Sequence, residues 1–188
     1  MSAENFNLNE LKKNVSSGET RSELWRRQQL KRIRNIINTH QSEIINALKD
    51  DLGKPDTEAF FELIAISQEL KTTEKNLKRW MRPKNIEMPL SLKPGTAKVI
   101  SEPLGCVLII GAWNYPFMLT IQPLISALAA GNTAVLKPSE FSPNVSNLIV
   151  KLFSKHFPEN IIKVLEGNGE FAAKLVNQDF DHIFFTGG

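Results

Sequence analysis

A single cysteine, Cys106, stands in 188 residues. No internal disulfide can form, which suits a reducing compartment. Histidine is scarce as well: His40, His156 and His182 are scattered, and no metal site is assigned to them. No apolar run approaches the ~20 residues that a membrane-spanning helix needs. The polar opening MSAENFNLNELKKN lacks the apolar core of a secretory signal. An excess of charge is missing too. Twenty-three basic against 20 acidic side chains leave +3, too little to imply a nucleic-acid partner. These absences predict a soluble, cytoplasmic protein of one ordinary domain, or of a domain with an appendage.

The apolar residues that are present fall into two rhythms. Residues 1–82 read as helix. Thr20 and Glu23 have capping-box spacing, which predicts a helix start there. Leu24, Ile33, Ile36, Ile37, Ile44, Ile45 and Leu48 then recur at helical steps and give one apolar face. Gly53 stops this helix. A second runs from Thr57 through Phe60, Phe61, Leu63, Ile64, Leu70, Leu77 and Trp80 to Pro83. The cluster Arg21, Arg26, Arg27, Lys31, Arg32 and Arg34 could face an anion. Glu23, Glu43, Asp50 and Asp51 dilute it, and we read a solvated face.

Residues 83–103 change character. Pro83, Pro89, Pro94 and Pro103 exclude helix, and Pro94-Gly95 signals a turn between two extended segments. This predicts a hairpin arm, of a kind that packs on another part of the protein or on a second subunit.

From residue 104 to 188 strand and helix alternate. CVLIIGAW is the continuous apolar run of a strand buried on both faces. Pro116 opens a buried helix in which Pro123 should kink the chain or lie in the first turns. NTAVLKP is the next strand, and Ser142-Pro143 is an N-cap pair for the helix reaching Pro158. IIKVLEG, a short helix and DHIFFTGG complete the pattern. Four strands and three helices in this order predict an α/β, Rossmann-like, mostly parallel sheet.

Ligands of such sheets bind beyond the carboxyl ends of the strands. Four segments stand there: Gly111-Ala112-Trp113-Asn114, Lys137-Pro138-Ser139-Glu140, Glu166-Gly167-Asn168-Gly169 and Thr186-Gly187-Gly188. Small residues, amides and charge suit a cofactor crevice. The GxGxxG fingerprint does not follow the first strand, so composition alone leaves the ligand open.

The run EPLGCVLIIGAWNYPFMLTIQPLISALAAGNTAVLKPSE resembles the nucleotide-binding segment of the aldehyde dehydrogenase superfamily. The nearest likeness is to the class-3-like, fatty- and coniferyl-aldehyde branch. WNYP, AAGN and KPSE, in this order at the ends of their elements, carry the resemblance. It implies NAD(P)-dependent oxidation of an aldehyde to a carboxylic acid through a cysteine thiohemiacetal and thioester. Asn114 matches the family's oxyanion donor. Lys137 and Glu140 match residues on the adenine ribose hydroxyls, leaving NAD and NADP open with NAD favoured. Ala112 and Trp113 would shape the cofactor channel. Thr186, Gly187 and Gly188 resemble the opening of a glycine turn beside the pyrophosphate.

The resemblance further implies a homodimer for the full-length form. The family's cysteine nucleophile and glutamate base come later than this glycine turn. Cys106, at the far end of the first strand, reads as a buried thiol. The chain therefore reads as an amino-terminal fragment, inactive alone and with weak or no NAD binding. The alternative is a non-catalytic remnant that binds a nucleotide or a subunit. WNYP argues against a third option, an acyl-phosphate reductase.

Overall fold

The structure is a computed structural model that describes residues 6–187. Its centre is a four-stranded parallel sheet of β3 (Cys106–Ile110), β4 (Thr133–Lys137), β5 (Ile162–Val164) and β6 (His182–Phe185), in the order β5-β4-β3-β6. β3 and β4 are buried at every position, as their unbroken apolar sequence demands. From β3 the chain steps outward to β4 and β5, then returns to β6 on the other side of β3. The reversal lies between β3 and β6, the switch point where open α/β sheets take ligands.

Helices cover both faces. α5 (Pro116–Ala129) and α6 (Pro143–His156) pack on the side presenting Val107, Ile109, Ala134 and Leu136. Outside them lies a layer of α2 (Glu23–Thr39), α3 (Gln41–Leu52) and α4 (Asp56–Trp80). α1 (Leu8–Ser16) and α7 (Gly169–Val176) cover the face of Cys106, Leu108, Ile110 and Val135, through Leu11 and Leu175. α1 lies in the polar opening of the stretch expected to be helical, ahead of the helix start expected at Thr20. Its few apolar residues are enough, because Leu11 and Val15 sit one turn apart and are both buried.

The first long helix differs from its sequence reading in four ways. Ser22 is the N-cap, its Oγ accepting from Trp25 N at 3.1 Å, while Thr20 is buried in a short 3₁₀ turn. Glu23 pairs with Arg27 rather than reaching back to a cap. The helix breaks at His40, giving α2 and α3 where one was expected. Leu24 points outward, and the apolar face begins at Trp25. The break also brings His40 against His156, with ring centroids 6.0 Å apart, so two of the scattered histidines meet.

The basic cluster is only partly a solvated face: Arg21 and Lys31 are exposed, and Arg27, Arg32 and Arg34 half-buried. Arg21 pairs with Glu102 and Arg34 with Glu74, both distant in sequence. Arg26 is the exception. It is buried, and its guanidinium donates to Thr20 O and to Ala129 O near the end of α5. The negative end of that helix supplies its counter-charge. Pro123 sits inside α5, beyond its first turns.

In the arm, β1 (Lys84–Ile86) pairs antiparallel with β2 (Ala97–Val99), and a short 3₁₀ turn at Leu90–Leu92 precedes Pro94-Gly95. Ile86, Val99 and Ile100 are exposed.

Candidate functional site

The carboxyl ends of the four strands are bound to one another in series. Thr186 N donates to Ile110 O at 3.0 Å and Gly111 N to Lys137 O at 3.1 Å. Ser142 Oγ donates to Trp113 O at 3.0 Å, joining the turn after β3 to the start of α6. Ser142 is thus a tie between loops and not the side-chain cap that Ser-Pro suggested. Ser146 Oγ donates to Glu166 Oε1 at 2.9 Å and reaches the end of β5.

Gly111 allows this edge to close. A Cβ there would lie 2.2 Å from Thr120 Oγ1, which itself donates to Pro116 O at 2.7 Å. Glycine lets the strand end meet the first turn of α5.

Asn114 is exposed in the turn between β3 and α5, and its side chain has no hydrogen-bond partner among the described residues. Its amide donor is free to meet an incoming oxygen. Trp113 beside it is exposed, while Ala112 is half-buried. Lys137 is buried, and its ammonium donates to Glu140 Oε2 at 2.5 Å. Burial pushes the Glu140 carboxyl upward. The hydrogen bond from Lys137 and those from backbone N–H groups of Glu140 and Gly169 outweigh it and hold the group below its ordinary value.

Sign follows from that direction. The carboxylate's contribution to stability is present above the ordinary value and is lost as pH falls through the lowered one. Thr186 is half-buried beside Ile110, and Gly187 follows at φ 144°. Gly188 lies outside the described residues.

The absence of GxGxxG has a structural counterpart. In ordinary dinucleotide folds the helix after the first strand offers its N-terminus to the pyrophosphate. Here the third residue of that helix, Met118, already donates its N–H to Glu62 Oε2 of α4 at 2.9 Å. Glu62 is fully buried and paired with the buried Lys54 at 2.8 Å. A second carboxylate, Asp51 at the end of α3, accepts from Asn144 N at 3.0 Å and Val145 N at 2.8 Å at the start of α6. Both helix starts that flank the crevice are therefore occupied by protein carboxylates.

A groove of about 580 Å³ lies elsewhere, along α5 and β6, lined by Leu104, Val107, Ile109, Leu119, Phe184 and others. Its lining is mixed, since Glu69, Gln122, Asn132 and His182 also face it, and Thr186 is the one residue it shares with the strand-end set.

Cys106 stands apart from all of this at the amino end of β3, fully buried. Burial pushes its thiol from the ordinary 9.0 up to about 12, with Asp181 adding to the rise and Thr133 opposing it. The neutral thiol favours the fold below the ordinary value, and that contribution is lost as pH rises toward about 12. In mildly alkaline buffer the native chain should not react with a thiol reagent, and should react once unfolded in urea. Rapid labelling of the native chain would show that the thiol is accessible.

The arrangement is that of an open α/β nucleotide fold with an unpartnered side-chain amide, that of Asn114, beside its switch point among the described residues. The chain matches the aldehyde dehydrogenase family over residues 15–188. It is 44% identical over 188 residues to aldehyde dehydrogenase family 3 member H1 of Arabidopsis thaliana, covering 99% of this chain and 39% of that protein. It is 44% identical over 170 residues to the 4,4'-diaponeurosporen-aldehyde dehydrogenase of Staphylococcus aureus, covering 90% and 37%. The solved substrate-bound state of Staphylococcus aureus AldH superposes with a TM-score of 0.93 at 40% identity, covering 96% of this chain and 40% of that one. The chain belongs to the aldehyde dehydrogenase family, and it spans about two fifths of the length of these relatives.

Proposed function

We propose that this chain forms the cofactor side of a site for oxidation of an aldehyde to a carboxylic acid with NAD. The observation that carries the reading is Asn114, a neutral donor left open at the switch point of a family fold. A fixed amide there stabilises the oxyanion that develops when a thiolate adds to an aldehyde carbonyl. The thiolate is not supplied by Cys106, which is buried at the opposite end of β3. The 188 residues alone are therefore expected to turn over no aldehyde.

The strand-end residues fit a nicotinamide dinucleotide. Glu140, kept ionised, would accept from the adenine ribose hydroxyls alongside Lys137. Thr186, Gly187 and Gly188 would approach the pyrophosphate, and Ala112 and Trp113 would border the channel. Held there, a nicotinamide dinucleotide would supply the hydride acceptor. Because the Lys137 ammonium is committed to Glu140, a ribose 2′-phosphate would meet a carboxylate, which supports NAD over NADP.

Residues 1–82 act in this reading as braces for the cofactor unit of residues 104–188. Residues 83–103 act as an arm whose exposed Ile86, Val99 and Ile100 meet a second copy in a homodimer. A single buried thiol suits a cytoplasmic setting, and no described helix is long and apolar enough to cross a membrane.

The test grafts this chain in place of the corresponding segment of the staphylococcal enzyme. The graft should form NADH with an aldehyde. Asn114→Ala in it should lower kcat by about 10²–10³-fold, with KM little changed. An unaltered kcat would remove Asn114 from the chemistry.

A further inference from the structure

α5 and α6 share a defect and a remedy. Each begins with proline, and neither is capped by the side chain that precedes it. Carboxylates of the outer helix layer cap both, but unequally. Asp51 at α6 is half-buried and serves as a cap, with no ion pair among the described residues. Glu62 at α5 is fully buried, and its second oxygen holds Lys54. The Lys54 ammonium in turn lies 3.8 Å from the centroid of the Tyr115 ring.

A cap alone does not require this pair. A glutamine amide oxygen could accept from Met118 N without burying a charge, and burying a carboxylate is costly even when it is paired. What the charge adds is Lys54, drawn onto the ring of Tyr115. Tyr115 is the neighbour of Asn114. On its other side Trp113 is held by Ser142 through the carbonyl. Asn114 has no side-chain partner among the described residues, so its backbone must set where its amide points. An oxyanion donor must be held to within about 0.5 Å to act.

We propose that Glu62, acting through Lys54 on Tyr115, is a positioning residue for Asn114. The proposal rests on the reading of Asn114 as the oxyanion donor.

The test uses the whole chain, isotope-labelled for nuclear magnetic resonance. In the native chain the Asn114 backbone amide should show an order parameter in the rigid range, about 0.85. In Glu62→Gln the Met118 cap is retained and Lys54 loses its buried counter-charge, keeping only the half-exposed Glu58 at 3.7 Å. The order parameter of Asn114 should then fall below about 0.6, with Val135 and Leu136 in β4 unchanged. Asp51→Asn, which weakens the other cap, should leave Asn114 rigid. A rigid Asn114 in Glu62→Gln would overturn the proposal, since a cap-only role predicts that outcome.

Should Glu62→Gln fail to fold, Tyr115→Leu decides. It removes the partly exposed ring that Lys54 meets, and Asn114 must loosen in the same way or the proposal fails. In the grafted enzyme Glu62→Gln should lower kcat about tenfold and spare KM. Loss of the Asn114→Ala effect would sink the oxyanion reading while leaving the mobility result intact, so the two failures are separable.

Discussion

Replacing Lys54 by methionine should lower the unfolding free energy of the chain by about 3–5 kcal/mol, because it strands a carboxylate inside the protein. Glu62 has no exposed side-chain surface and two contacts, Lys54 Nζ at 2.8 Å and Met118 N at 2.9 Å. Methionine fills the space of the lysine stem, so lost packing adds little. The loss is electrostatic: a carboxylate with one hydrogen bond, out of water, with no cation beside it. Adding Glu62→Gln to this variant should recover half or more of the loss, since the amide still accepts from Met118 and carries no charge. Urea midpoints of the wild type, both singles and the double complete the cycle. A Lys54→Met midpoint within error of wild type would mean that water reaches the pair.

This pair also marks what the sequence showed and what it hid. β3 and β4 were legible because strands buried on both faces are written as unbroken apolar runs. The N-terminal prolines of α5 and α6 were legible as helix starts. The caps were not, because Glu62 meets Met118 across 56 residues and Asp51 meets Val145 across 94. Local capping rules look three residues ahead. Those same rules favoured Thr20 over Ser22, since Thr20-to-Glu23 has the box spacing and only burial shows that Thr20 faces inward.

A signal was present all the same. Glu62 falls on the stripe of Ala59, Leu63, Ile66 and Leu70, where a carboxylate has to find a partner. Asp51, counted as one of the acids diluting the basic helix, had no such marker. Among the proposed site residues, Lys137 and Glu140 meet directly, and Trp113 is tied to the KPSE turn through Ser142. The separate position of Thr186 beside Ile110 follows from the return of the chain to β6. That return is a property of topology, and no local motif encodes it.

Gly105→Ala should have an effect of similar size, about 3–5 kcal/mol, and should act on the site from the far end of the sheet. Gly105 has φ 142°, a conformation that L side chains rarely adopt. An added Cβ would stand 2.1 Å from Asp181 Oδ2 and 2.4 Å from its Cγ. Asp181 cannot give way cheaply. Its Oδ2 accepts from Cys106 N at 2.7 Å and its Oδ1 pairs with Lys12 at 3.3 Å. Moving it leaves the N–H of a fully buried residue without its acceptor, which adds to the strain at Gly105.

The functional consequence runs along β6. Asp181 also donates its own N–H to Cys106 O at 3.0 Å, so it fixes both backbone groups of Cys106. From there the register proceeds from Val107 against His182 to Ile110 against Phe185, and ends with Thr186 N on Ile110 O. A disturbance at Asp181 should therefore be delivered, strand-length away, to the turn proposed for the pyrophosphate. Hydrogen exchange in Gly105→Ala should quicken at Thr186 and at those β6 amides that donate to β3 by about tenfold or more relative to Leu136 in β4. Equal quickening in β4 and β6 would mean that the whole sheet opens as one unit, and that Asp181 does not set the register of β6 by itself.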